Sequence, residues 1–251
     1  MMHAFSRTEM LIGKEGLARL RKSKVAVFGI GGVGSYAVEA LARSGVGSFV
    51  LVDGDDIALT NLNRQIHATT KTIGLPKVQV MRERILEINP LAGVETHRVM
   101  YGPANGAELI STSYSYVVDA VDMVAAKLDL VERCTAAGIP VISSMGAGNK
   151  LDPVQFEVAD IYNTRVCPLA RVMRHELRKR GIKALKVVYS QEPSVGRFPQ
   201  ENDFTDDGGA QSSRDIARAK RGSIPGSVAF VPPVAGLLLA AEVVKDLIAR
   251  D

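Results

Sequence analysis

Apolar and polar positions along this chain follow two rhythms that repeatedly trade places. Short, β-branched runs at Lys24–Gly29, Phe49–Asp53, Val94–Val99, Tyr116–Asp119 and Pro140–Ser144 read as buried strands. Between them the spacing predicts helices over Gly32–Ser44, Pro76–Ile88 and Met123–Ala137, stopped by Gly45, Asn89-Pro90 and Gly138. Strands alternating with helices through short loops predict an α/β fold: a doubly wound, mainly parallel sheet flanked by helices. After Gly146 the rhythm changes. "KLDPVQFEVADI" reads as an added strand and turn. "CPLARVMRHELRKRGI" is a helix with Pro168 in its first turn and Gly181 just past its end, and "LKVVYS" is a strand. Residues 191–222 have few apolar anchors and many turn formers, which predicts a mobile, functional connection. The uncharged run Ser223–Ala241 approaches membrane-spanning length, but Pro232-Pro233 interrupts it. It reads as a buried strand followed by a buried helix, and "VPPVAGLLLAAEVVKDLIAR" closes the chain as helix.

The 251 residues suit a single domain, with a core over 1–145 and an extension over 146–251 that carries the mobile segment. Hydrophobic residues at 46% and charged residues at 23% are ordinary soluble composition. A formal charge of +4 and a pI near 9.1 permit an anionic partner without demanding one. Cys134 and Cys167 cannot make a four-cysteine zinc site, and a reduced, cytoplasmic setting fits them. The start "MMHAFSRTEM" lacks the pattern of a secretory signal. Peripheral membrane contact stands as the minor alternative location.

Chemistry enters with "VAVFGIGGVGSYAVEALARSGVGSFVLVDGDDI". Gly29, Gly31 and Gly34, with Gly32 between them, fit a strand–turn–helix phosphate cradle of Rossmann-like type. Asp53 ends the second strand about 20 residues on, where a carboxylate takes ribose hydroxyls. A redox dinucleotide and ATP both fit that much. The following residues favour ATP. "DGDDIALTNLNRQIH" brings Asp55, Asn61, Asn63, Arg64 and Gln65 to the carboxyl end of the second strand. "GLPKVQV" opens a helix with Lys77, and "VVDAVDMVAAK" places Asp119 and Asp122 at the end of another strand. Arg64 and Lys77 add charge suited to a departing pyrophosphate. Asp122 is a one-carboxylate anchor of the sort Mg2+ uses alongside phosphate oxygens. No residue is placed to assist hydride transfer.

"GIGGVG", "LVDGDDIALTNLNRQ", "GLPKVQV" and "VVDAVD" resemble the adenylating domain of the ubiquitin-activating and molybdopterin-synthase-activating enzymes, the ThiF/MoeB/HesA superfamily. The resemblance implies binding of ATP and magnesium and transfer of AMP to a carboxylate. It gives Asp53 the ribose, sets Asn61, Asn63, Arg64, Gln65 and Lys77 around the phosphates, and puts Asp122 at the metal. Arg7 resembles an N-terminal arginine that reaches the phosphates of a partner subunit, which implies a homodimer. The zinc-binding cysteine pairs of the protein-activating members are missing here. "NRQIHA", "SYSYVVDAVD", "GAGNKLDP" and "CPLARVMRHELRKRGI" are closer to the tRNA threonylcarbamoyladenosine dehydratases. That likeness implies ATP-driven cyclisation of threonylcarbamoyladenosine beside the anticodon of tRNA, with sulfur-transfer proteins as further partner candidates. Adenylation of the C-terminus of a ubiquitin-like sulfur carrier is the alternative.

Further residues carry open readings. Arg171, Arg174, Arg178, Lys179, Arg180, Lys183 and Lys186 form either a tRNA-binding face or a solvated basic helix. Arg214, Arg218, Lys220 and Arg221 could close over an anticodon loop, with Phe198 and Phe204 as the only nearby aromatics. Cys167 is an activated thiol at a helix start or a small packing residue. His67 contacts a ligand or packs, and His175 sits on the surface. "SSMGAGNK" could offer backbone carbonyls to substrate or to a monovalent cation.

Overall fold

The computed structural model describes residues 2–196 and 225–249. Among these, seven strands form one sheet: β1 (Lys24–Phe28), β2 (Ser48–Val52), β3 (Gly93–His97), β4 (Tyr116–Asp119), β5 (Val141–Ser144), β6 (Phe156–Asp160) and β7 (Lys186–Ser190). Their spatial order is β3-β2-β1-β4-β5-β7-β6. Neighbours run parallel except β6 and β7, which are antiparallel. This is the doubly wound α/β architecture expected from the strand–helix rhythm, with strand bounds shifted by only one or two residues.

The helices are α1 (Ser6–Lys22), α2 (Gly34–Ser44), α3 (Lys77–Ile88), α4 (Gly106–Leu109), α5 (Val124–Ala136), α6 (Pro168–Lys179) and α7 (Val231–Ala249). Strand side chains alternate between the two layers these helices form. Val25 and Val27 pack with Leu41 of α2, Met81 of α3 and Leu239 of α7. Ala26 and Phe28 face Leu130 and Cys134 of α5 on the other side. Beyond β5, Val187 and Tyr189 pack on Met173 and Leu177 of α6. Burying each large apolar side chain is worth ~1.5–3 kcal/mol, so layer packing holds these short strands in place.

One expectation needs correction. Among the described residues no strand leads into α7: residues 225–230 are irregular and Val231 already begins the helix. Pro232 and Pro233 lie in its first turn, where a missing N–H breaks no intrahelical bond, so the uncharged run is divided at the prolines and the closing helix spans the expected residues. Helix α1 was not anticipated. Gly13, with φ 73°, interrupts its helical run and splits the apolar pattern that would announce it. Of the long connection 191–222, residues from 197 onward lie outside the described residues, as do Phe198, Phe204, Arg214, Arg218, Lys220 and Arg221.

From β1 the chain winds outward to β2 and β3, then returns to the centre and builds β4 and β5 in the other direction. Strand order therefore reverses between β1 and β4. A crevice opens there at the carboxyl ends of the strands, which is where open α/β sheets bind ligands.

Candidate functional site

The glycine loop between β1 and α2 is shaped by crowding. Gly29 has φ 89°, and a Cβ there would lie 2.5 Å from the Ala120 carbonyl oxygen. A Cβ at Gly34 would lie 1.8 Å from the Gly29 carbonyl oxygen. Gly31 is different: nothing lies within 4 Å of its Cβ position, so its backbone faces open space. Asp53 locks the loop from behind. Its carboxylate accepts from the Ile30 N–H at 2.7 Å and the Asp55 N–H at 2.9 Å, and it is 1% exposed.

Open space in front of the loop forms a cavity of about 510 Å³. Gly31, Gly32, Arg64, Lys77 and Asp122 all line it, as do Asp55, Asn61 and Gln65. Local pairing brings them there. The Ile57 N–H donates to the Leu75 carbonyl (2.9 Å) and the Lys77 N–H to the Asp55 carbonyl (3.1 Å), which sets the start of α3 beside the end of β2. The Lys77 ammonium then donates to Asp55 Oδ2 at 3.0 Å, with both side chains almost fully buried. Asn61 Oδ1 accepts from the Ala58 N–H (3.1 Å) and closes the single turn that presents Arg64 and Gln65. Gln65 Oε1 is buried with no hydrogen-bond partner among the described residues, a cavity-side acceptor waiting for a donor.

Other expected site residues stand behind the cavity. Gly29, Gly34, Asp53 and Asp119 are not in its wall. Asn63 bridges instead, donating to the Ser227 carbonyl (2.9 Å) and accepting from Arg64 (2.9 Å). Arg7 is exposed on α1 and lines no part of this cavity. The opposite wall comes from residues 144–148, Lys150, Cys167 at the start of α6, and residues 225–227. Asn149 joins two of these pieces: its backbone N–H donates to the Gly226 carbonyl (2.8 Å) and its side chain accepts from the Gly226 N–H (2.6 Å).

Sequence reasoning missed Lys127 and Lys150, both buried and both lining the cavity. Lys127 had one available signal: a lone cation among Val124, Ala126, Leu128 and Val131 of α5, eight residues after Asp119. Asp119 is fully buried and pairs with it at 2.9 Å. Lys150 donates to the Glu192 carbonyl.

His67 is 3% exposed, and neither ring nitrogen has a hydrogen-bond partner among the described residues. Burial first, then the positive charges of Lys77 and Arg84, pull its pKa down to about 3, so the ring is neutral. It does not line the cavity.

The basic helix α6 is less available than its sequence suggests. Arg174 donates to the Thr164 carbonyl (2.6 Å), and Lys179 and Arg180 pair with Glu176 at 2.9 and 2.6 Å. Arg178 stacks over Tyr162, and Lys186 is held by Glu242 and Asp246 of α7. Lys186 therefore leaves the candidate tRNA face. Arg171 and Lys183 are exposed and have no ion-pair partner among the described residues, and His175 is on the surface as expected.

Among the described residues no cluster of three or more His, Cys, Asp or Glu side chains is arranged to hold a metal by itself, and no helix is long and apolar enough to cross a membrane.

A model of the ThiF family matches residues 5–251. The Bacillus subtilis tRNA threonylcarbamoyladenosine dehydratase is 46% identical over 250 residues, covering 99% of this chain and 96% of that protein. Crystal structures of the E. coli tRNA N6-threonylcarbamoyladenosine dehydratase match with a TM-score of 0.83, in complex with ATP (34% identical) and with AMP (36% identical). Each covers 98% of this chain, against 93% and 94% of theirs. An Aedes aegypti adenylyltransferase and sulfurtransferase MOCS3 is 36% identical over 132 residues, only 53% of this chain and 30% of that protein.

Proposed function

The chain belongs to the ThiF family, and from that premise we propose that it uses ATP to dehydrate threonylcarbamoyladenosine in tRNA to its cyclic form. One observation carries the reading: the open face of Gly31, Arg64, Lys77 and Asp122 converge on a single cavity at the strand-order switch. A carboxylate expels oxide poorly, whereas an acyl-adenylate expels AMP. A carboxylate oxygen of the substrate attacks the α-phosphorus, and pyrophosphate departs with the electron pair of the broken bond. A nitrogen or oxygen of the same side chain then attacks the activated carbonyl at high effective concentration and releases AMP. The enzyme needs no nucleophile of its own.

Arg64 and Lys77 would bind the phosphates and offset charge on the leaving pyrophosphate. Asp55 holds Lys77 in place for that task. Asp53 supports the loop through the Ile30 N–H, and the family resemblance gives it the ribose hydroxyls although it stands just behind the cavity wall. Asp122 suits magnesium, since that ion takes one or two carboxylates and completes its shell with phosphate oxygens and water. Bound there, magnesium would supply charge neutralisation across the phosphates. A monovalent cation on the carbonyls of residues 143–150 is the remaining cofactor of this reading.

Residues 1–145 form the nucleotide-binding core and 146–251 the substrate-binding extension. The enzyme acts as a cytoplasmic homodimer in which Arg7 serves the partner's site, consistent with its position outside its own cavity. Mass spectrometry of nucleosides from threonylcarbamoyl-modified tRNA, before and after incubation with ATP and magnesium, tests the reading. The expected product is lighter by one water. Pyrophosphate exchange stimulated only by a ubiquitin-like carrier protein would replace this reading with the sulfur-carrier alternative.

A further inference from the structure

Lys127 borders the cavity, yet the chemistry above assigns it no task. Its ammonium donates to Asp119 Oδ2 at 2.9 Å and to Ser143 Oγ at 3.1 Å. The Ser143 hydroxyl donates in turn to the same carboxylate oxygen at 2.5 Å. Asp119, Lys127 and Ser143 are at most 1% exposed, and they tie the end of β4, the first turn of α5 and β5 into one knot. An ammonium has three N–H donors. Two are used here, and the third has no acceptor among the described residues. Lys127 also lines the same cavity as Asp122 and Met145. A buried donor left unpaired costs ~1–3 kcal/mol, so the arrangement lacks an acceptor that a cavity ligand can supply.

We propose that Lys127 is a catalytic residue whose third N–H binds an anionic oxygen where the substrate carboxylate meets the α-phosphate of ATP. The inference rests on the adenylation reading above. As the new carbon–oxygen–phosphorus link forms and the bond to pyrophosphate breaks, negative charge gathers on oxygens at that junction. An ammonium already oriented by Asp119 and Ser143 stabilises that charge without having to reorganise. The oxygen belongs either to the carboxylate or to the α-phosphoryl group, and the two sources separate experimentally.

Lys127→Met alone would strand the buried Asp119 charge and threaten the fold. The decisive protein is the double variant Lys127→Met/Asp119→Asn, in which neither charge remains, with Lys127→Arg beside it. Each is measured for melting temperature, for ATP binding by calorimetry with magnesium, and for turnover of modified tRNA. The double variant is expected to fold and to lose about 100-fold or more in kcat, the loss typical of removing one donor to a developing anion. Weaker ATP binding without tRNA places the oxygen on the α-phosphate. Unchanged ATP binding with a raised KM for modified tRNA places it on the carboxylate. Lys127→Arg keeps a charge opposite Asp119 and decides the matter if the double variant fails to fold: kcat falls about tenfold at unchanged melting temperature, because a planar guanidinium cannot reproduce the three-donor geometry. Wild-type kcat in either folded variant overturns the inference and leaves the dehydratase reading standing. No turnover by the unaltered chain overturns that reading, and this inference with it.

Discussion

The two walls of the cavity are built in different ways. The wall proposed to hold the phosphates is built on main chain, with Arg64 and Lys77 beside it: the turn after β1 is set by Gly29 and Gly34, braced by Asp53, and leaves the Gly31 backbone facing the cavity. The facing wall is a patchwork, in which residues 144–150 are stitched to 225–227 by Asn149, and Lys150 is tied to Glu192. A phosphate chain looks alike in every reaction that uses it, so rigid backbone donors serve it well. The acid being activated differs between enzymes, and longer loops can be rebuilt around it without disturbing the sheet.

The contrast can be broken at either wall. Gly34→Ala has the largest expected effect, because its Cβ would sit 1.8 Å from the Gly29 carbonyl oxygen. The cost should reach or exceed the upper end of the ~1–3 kcal/mol typical of overpacking, read in urea unfolding. Gly31→Ala should leave the melting temperature unchanged and weaken ATP binding at least about tenfold, since only a ligand occupies that space. Equal stability for both variants would dissolve the distinction between a packing glycine and a ligand glycine.

Next comes Asp122→Ala, expected to lower turnover at least about 100-fold with the fold intact. Mixed with Arg7→Ala, it should regain activity in verified heterodimers, because one of the two sites then has both groups. No recovery would remove Arg7 from the partner's site.

The third effect concerns His67, behind the phosphate wall. Its folded pKa of about 3 lies below the ordinary 6.5, so the unfolded chain takes up a proton first as pH falls. The neutral ring costs nothing above about pH 6.5, and stability is lost as pH drops from there toward 3. Linkage puts that loss at about 2 kcal/mol by pH 5. His67→Leu should remove that share of the decline between pH 7 and pH 5 in denaturant titrations. An identical decline in both proteins would place the acid sensitivity elsewhere.

The smallest effect sharpens the substrate side. Arg171→Ala and Lys183→Ala should raise the KM for modified tRNA about tenfold and flatten its salt dependence, leaving ATP affinity alone. Arg180→Ala, whose guanidinium is engaged by Glu176 and lies 3.3 Å from Glu132, should do much less. Equal effects from all three would mean that the helix acts only through its net charge.

These walls also differed in how far they could be read beforehand. The phosphate side is written in local signals: three glycines, an acid at the next strand end, and Lys77 opening a helix after Pro76. Such signals fix backbone turns within a few residues, so they survive translation into structure. The same signals point to Asp53, Asn61 and Asn63, of which Asp53 and Asn63 support the loops from outside the cavity wall while Asn61 both braces its turn and lines the cavity. The role of Lys127 is not legible in its own segment, because it depends on Ser143 arriving from another strand. The same holds for Lys186, which reads as one more cation of a basic run until α7 supplies Glu242 and Asp246. The prolines in the first turn of α7 are legible for the opposite reason: a proline pair marks a helix start wherever the surrounding fold lies.

A Cβ at Gly32 would lie 3.1 Å from Pro232, and one at Gly236 would lie 2.3 Å from the Val33 carbonyl oxygen. The tip of the glycine turn is thus seated against α7, a helix some 200 residues further along the chain. A nascent chain therefore has the whole glycine motif well before this backstop has emerged. A chain lacking α7 should grip nucleotide more weakly than the full one, because the turn loses the surface that holds it.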